Sequence, residues 1–258
     1  MKIDAIFQVR MGSTRLPGKM FKKIMGKPLL WHVIQRVKAS RLVNRIILAM
    51  TEEKKDDRIV KFAKKMRLLY YRGSTDNVLD RVYQAAKKFG SDIIVRITPD
   101  DPFKDPQIID EFISYFLKNK FDYVSNTVRP TYPEGLDIEV FSFLALKKAW
   151  PEAKKSSEKE HLTPYIWKNP KKFKIKNLTL KKNLSSLRWT IDYQKDLEFA
   201  REVYKKLYPK KKIFLMQDIL NLLNEKFDFP KINQGIVYHE GYLKSLKQDK
   251  LINKKKPI

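Results

Sequence analysis

Ile3-Asp4-Ala5-Ile6-Phe7-Gln8-Val9-Arg10-Met11-Gly12-Ser13-Thr14-Arg15-Leu16-Pro17-Gly18-Lys19 runs from an apolar segment straight into a loop that carries three cations. Ile3 to Val9 reads as a buried strand, because a short apolar run bounded by turn residues suits a strand covered on both faces. In the loop, Gly12 and Gly18 permit close backbone approaches, and Ser13 and Thr14 add hydroxyl donors to the backbone N–H groups. Arg10, Arg15 and Lys19 supply the charge. Ligands of doubly wound sheets bind at the carboxyl ends of the strands, so this loop is placed to hold a triphosphate. It is not a Walker A motif, since Met20 follows Lys19 where Ser or Thr is required.

The same strand-to-helix unit recurs downstream. Pro28 opens a helix to about Ala39, Arg45 to Met50 is a strand, Asp56 to Met66 a helix, and Leu68 to Tyr71 a short strand. Asp76 to Phe89 is helical, Asp92 to Thr98 is a strand, and a helix begins near Pro106. This alternation predicts an α/β fold, a mostly parallel Rossmann-like sheet with helices on both faces. After Tyr123 the rhythm shortens to strands Asp122 to Ser125 and Asp137 to Phe141 around the turn Thr131 to Gly135. That part is expected to form a small appended β-containing lobe, about residues 123–180. Helices follow at about Ser157 to Trp167, Lys195 to Leu207 and Met216 to Asn224. One domain is expected over residues 1–243, with 244–258 as a loose basic tail.

Composition narrows the function classes. The chain of 258 residues, 43% hydrophobic, can bury one sizeable core. It has no cysteine and only three histidines, so any metal is expected on oxygen ligands. The formal net charge of +26 raises the possibility of a polyanionic partner. The lysine runs are scattered, however, and no zinc-finger, RNP or helix-turn-helix signature accompanies them, so a solvated surface and no nucleic acid is the expectation. With no apolar run of roughly 18 residues and no signal-peptide core, no membrane span and a cytoplasmic location are expected.

Two further stretches carry chemistry. Arg96-Ile97-Thr98-Pro99-Asp100-Asp101-Pro102 ends a strand with adjacent carboxylates held stiffly between prolines, as a hard-cation ligand should be. Leu187-Arg188-Trp189-Thr190-Ile191-Asp192-Tyr193 delivers an acid just before a helix. Asp192 could cap that helix or bind metal, and spacing alone favours the cap.

Together these stretches resemble the cytidylyltransferases that make CMP-activated acidic sugars, the KDO and acylneuraminate cytidylyltransferase group, and most closely their spore-coat polysaccharide relatives of the SpsF type. The resemblance spans nearly the whole chain, including Gly73 to Arg81, Pro133 to Phe141, Glu160 to Tyr165 and Glu240-Gly241-Tyr242. It implies transfer of CMP from CTP to a small anionic acceptor, with Mg2+ held by Asp100 and Asp192. Gln8, Arg10, Gly12, Ser13, Thr14, Arg15 and Lys19 would lie at the nucleotide, joined by Ser74, Asp80 and Arg81. Lys19, Arg15 and Asp100 would be catalytic. Asn126, Asp137, Glu139, His161 and Arg188 would lie near the acceptor, with Arg188 facing its carboxylate. Pro99 departs from the family's usual glycine and removes a backbone donor beside the metal position.

A homodimer is expected from the resemblance and from apolar residues after Tyr123 that need cover: Val124, Tyr132, Leu136, Val140, Phe141 and Phe143. A nucleotidyltransferase for another base or for a phosphonate or polyol-phosphate acceptor is the near alternative. A nucleotide-sugar-dependent glycosyltransferase is the more distant one, and it does not need three cations for a free triphosphate.

Overall fold

A seven-stranded sheet organises the computed structural model, in which residues 1–225, 233, 235 and 240–254 are described. Its parallel part consists of β1 (Ile3–Gln8), β4 (Arg45–Thr51), β5 (Leu69–Gly73) and β6 (Ile93–Ile97), in the order β5-β4-β1-β6. β8 (Glu139–Ser142) then pairs antiparallel to β6, β7 (Tyr123–Ser125) antiparallel to β8, and β9 (Ile175–Asn177) parallel to β7. A two-residue hairpin, β2 (Lys23–Ile24) and β3 (Lys27–Pro28), lies apart from this sheet.

Each face of the sheet buries its own core, because strand side chains alternate. Phe7, Leu48, Met50, Val95, Ile97, Val124 and Val140 face one core with α1 (Leu29–Lys38), α4 (Pro106–Asn119), α8 (Gln194–Leu207) and α9 (Met216–Glu225). Ile6, Ile47, Ala49, Ile94, Tyr123 and Phe141 face the other with α3 (Val78–Phe89) and α5 (Phe143–Glu152). α2 (Asp57–Lys65) packs beside β5. Local chemistry sets the helix starts: Asn77 Oδ1 accepts from Asp80 N at 2.9 Å before α3, and Asp105 Oδ1 accepts from Gln107 N at 2.9 Å before α4.

The elements after Tyr123 depart from expectation. Their strands do not sit over the sheet as a lobe but extend it at one edge, because Glu139 to Ser142 finds open backbone groups on β6. The single helix expected over Ser157 to Trp167 is broken by Leu162 at φ 71, giving α6 (Ser156–His161) and α7 (Pro164–Trp167). α5 and β9 were not anticipated. Residues 244–254, expected to belong to a loose basic tail, instead lie in α10 (Glu240–Lys254), and residues 255–258 lie outside the described residues. α10 is held against α6 by polar anchors: Ser157 N donates to Asp249 Oδ1 at 3.2 Å and Ser245 Oγ donates to Glu160 Oε2 at 2.6 Å. Among the described residues, no helix is long and apolar enough to cross a membrane.

Candidate active site

The loop after β1 is moored from below by a residue that sequence reasoning passed over. Buried Asp56 accepts from Met11 N at 2.7 Å, from Thr51 N at 3.0 Å and from Thr51 Oγ1 at 2.6 Å. Ser13 Oγ accepts from Leu16 N at 3.3 Å, and Gly18 at φ 66 turns the chain into a short 3-10 helix, Lys19–Phe21. Only a residue tolerant of positive φ turns there without strain. The result drives Lys19 inward beneath the carboxyl ends of the strands.

There Lys19 Nζ donates to Asp100 Oδ2 at 2.6 Å, to Asp192 Oδ1 at 2.9 Å and to the Ile191 carbonyl at 2.9 Å. Ile191 N donates in turn to the Asp100 carbonyl at 2.9 Å, fastening the two acidic segments together. Arg15 Nη2 lies 2.6 Å from Asp192 Oδ1, and Arg15 Nη1 donates to Glu240 Oε2 at 2.9 Å. Burial opposes ionisation of Asp192, yet Lys19, Arg15 and Arg188 outweigh it and hold the carboxyl down at about 2. Burial likewise opposes charge on Lys19, and Asp100 and Asp192 raise its pKa despite that. Asp101 goes the other way: burial pushes it up to about 6, against the pull of Lys104 at 2.8 Å.

Asp192 does not cap α8. Tyr193 is the N-cap residue, and Asp196 in the first turn reaches back to it, its Oδ2 accepting from both Asp192 N and Tyr193 N at 2.9 Å. Nor is Arg188 available to an acceptor. Its guanidinium is buried among Glu134 at 2.5 Å, Asp192 at 2.9 Å and Asp196 at 3.1 Å. Sequence shows a charge at position 188 but not its partners. Gly135 makes this packing possible: at φ 104 it lies against the Trp189 backbone, where an added Cβ would fall 2.7 Å from a carbonyl carbon.

A cleft of about 480 Å³ opens beside these groups, with Arg15, Asp100 and Asp192 in its wall together with Arg96, Asp137, Glu139 and His161. Gln8 Oε1 accepts from Arg96 Nε at 3.1 Å, and Arg96 also pairs with Glu139, whose Oε2 accepts from Tyr123 Oη at 2.7 Å. His161 Nε2 lies 2.9 Å from Ser245 Oγ, and its ring meets Tyr242 edge-on at 5.0 Å. The remaining candidates have different surroundings. Arg10 and Thr14 are exposed at the loop surface, and a Cβ on Gly12 would come 3.1 Å from Lys55 Nζ. Arg81 is buried, donates to the Ser74 carbonyl at 2.5 Å, and is lowered to about 10 by burial and by Arg10. Asp80 instead accepts from the Trp150 indole at 2.9 Å and from Gln84 at 3.1 Å. Asn126 is consumed in bracing a turn, bonded to the Leu136 carbonyl and to Ile138 N at 2.8 Å each.

Among the described residues there is no group of three or more His, Cys, Asp or Glu side chains that could hold a metal. A pair of carboxylates sharing one ammonium is nevertheless a fitting donor set for magnesium, which retains waters and needs only one or two protein carboxylates beside phosphate oxygens.

Known proteins resemble this chain over most of its length. A family model described as cytidylyltransferase matches residues 5–226. An uncharacterized protein of Methanocaldococcus jannaschii is 42% identical over 207 residues, which cover 80% of this chain and 84% of that one. The spore coat polysaccharide biosynthesis protein SpsF of Bacillus subtilis is 29% identical over 230 residues, covering 86% of this chain and 94% of that one. A cytidylyltransferase structure from Leptospira borgpetersenii superposes with a TM-score of 0.84 at 33% identity, over 93% of this chain and 100% of the other.

Proposed function

Because the chain belongs to the cytidylyltransferase family, we propose that it transfers the CMP portion of CTP to an acidic sugar or related small anionic acceptor, releasing pyrophosphate. One observation carries this reading: Arg15 and Lys19 of the first loop converge on Asp100 and Asp192 beside an open cleft. An oxygen of the acceptor attacks the α-phosphorus in line, the bond to the β-phosphate oxygen breaks, and pyrophosphate leaves. Such a step asks the protein for positioning and charge neutralisation rather than for a nucleophile of its own. Arg15 and Lys19 bind the triphosphate and offset charge developing on the α-phosphate and the leaving group. Asp100 and Asp192 are the residues that would hold magnesium, which supplies further neutralisation on the triphosphate.

The similarity to SpsF supports a place in cell-surface polysaccharide or glycan synthesis, with the enzyme acting in the cytoplasm. The homodimer rests on different residues than the sequence suggested. Val124, Tyr132, Leu136, Val140 and Phe141 are buried within the chain, whereas Leu144 is 74% exposed and Trp150 is 37% exposed on α5. A monomer mass by light scattering at micromolar concentration would refute the dimer.

The test of the activity is pyrophosphate release from each of the four nucleoside triphosphates with magnesium and a panel of acidic sugars. CTP-dependent release is expected. Release with another nucleotide alone, or with none, overturns the assignment.

A further inference from the structure

We propose that Arg96 holds the anionic group of the acceptor, and that Glu139 sets how tightly it does so; this rests on the nucleotidyl-transfer reading above. The sequence pointed to Arg188 for that task, but Arg188 is spent on three carboxylates. Arg15 is engaged by Asp192 and Glu240 beside Lys19, in the cluster assigned to the triphosphate. Arg96 is the other arginine in the cleft wall, and its setting is different.

Arg96 stands directly opposite Glu139 across the antiparallel pair of β6 and β8. Cross-strand partners on one face meet side by side. On the other side, β1 runs parallel with Ile6 in register with Arg96, so Gln8 lies further along on the same face. Deeper in the sheet this face is apolar, with Ile6, Ile94 and Phe141 in the core; at the strand ends it becomes a polar row of Gln8, Arg96 and Glu139. The guanidinium is fixed on two edges, Nε by Gln8 and Nη1 by Glu139, while Nη2 makes no hydrogen bond among the described residues. The planar fork of Arg96 is suited to a carboxylate or a phosphate. A fork clamped at two edges loses little freedom on binding, so its third nitrogen is prepared for an anion.

Glu139 opposes this. Buried and bonded to Tyr123 Oη, it neutralises part of the charge that Arg96 would offer. Were the Arg96–Glu139 pair merely a sheet fastener, removing either member would weaken whatever binds nearby. With Arg96 as anchor and Glu139 as its internal competitor, the two substitutions act in opposite directions.

The experiment uses the full chain with magnesium. CTP affinity is measured first by calorimetry. Then 3-deoxy-manno-octulosonate, N-acetylneuraminate and glycerol 3-phosphate are each titrated in the presence of CMP, which prevents turnover. Wild type should bind at least one of them, the sugar acids or the phosphate ester identifying which anion is held. Arg96→Met should weaken that anion by about 10-fold or more, the scale of one charge-assisted contact, with CTP affinity within about 2-fold. Arg96→Lys should recover part of the loss, and Glu139→Gln should tighten the anion by roughly 2- to 5-fold. A wild-type protein that does not bind CTP sinks the nucleotidyl-transfer reading itself. A protein that binds CTP but none of the three anions overturns the Arg96 assignment alone. So does an Arg96→Met variant that binds them as wild type does, or a pair of variants that both weaken them.

Discussion

Arg188 Nη2 lies 2.9 Å from Asp192 Oδ2, on the opposite oxygen from the one that meets Lys19 and Arg15. The carboxylate is therefore gripped from both sides, and Arg188 acts on the site by orienting Asp192. An aspartate so surrounded is an element of stability as well as a candidate ligand.

Asp192→Asn is expected to lower turnover at least about 100-fold, with partial recovery in manganese or at high magnesium. It should also alter stability, because the folded carboxyl sits at about 2, below its ordinary value of 3.8. A depressed acid contributes stability above the unfolded value, and that contribution is lost as pH falls from about 4 through about 2. The shift corresponds to about 2 kcal/mol at neutral pH. Denaturant midpoints at pH 7 and pH 3 test this: the gap between wild type and variant should shrink at the lower pH. Normal turnover with an unaltered magnesium requirement would remove Asp192 from the site.

Lys19→Ala removes the ammonium shared by Asp100 and Asp192. The rate of pyrophosphate release should fall by about 100-fold or more, the scale of a lost transition-state donor. Wild-type turnover in a folded variant, checked by circular dichroism, would exclude Lys19 from the chemistry.

His32 gives the fold a separate acid sensitivity. It is buried on α1, its Nε2 donates to the Ile24 carbonyl at 2.7 Å, and burial, aided by Arg36, pushes it down to about 4. The unfolded chain takes up this proton near 6.5 and the folded one only near 4, so stability declines as pH drops between those values. About 3 kcal/mol is at stake. His32→Gln should flatten the dependence of Tm on pH from 7 to 4, and an unchanged slope would show that His32 does not cause it.

On the proposed reading, Glu240 competes with phosphate for Arg15. It accepts from Arg15 Nη1 and from Tyr193 Oη, both at 2.9 Å. Glu240→Gln keeps an acceptor for the tyrosine and removes the charge, so CTP affinity should rise by roughly 2- to 5-fold, the range of a partly exposed ion pair. Weaker binding would mean that Glu240 supports the nucleotide site rather than opposing it.

The parallel half of the sheet was legible because each strand is a run of apolar residues and each helix has one apolar face, patterns that tertiary contacts reinforce. β9 escaped notice because Ile175 to Asn177 is three residues long and gains its identity only from pairing with β7. α10 is anchored by Ser245, Asp249 and Glu240, polar contacts that leave little apolar periodicity to detect. At the site, the sequence identified Arg15, Lys19, Asp100 and Asp192, which the fold brings together. The sequence could not show that Arg188 turns onto three carboxylates, and it left Asp192 open between cap and ligand, because an acid before a helix has the same local pattern in both roles. Asp196, four residues on, makes the capping contact instead, reaching back from the first turn of α8 to Tyr193 N.

The contact between Arg15 and Glu240 spans 225 positions of the chain. At a synthesis rate of 5–20 residues per second, roughly tens of seconds separate the emergence of the two residues from the ribosome. The nascent loop carries its cations throughout that interval without the carboxylate that later meets one of them.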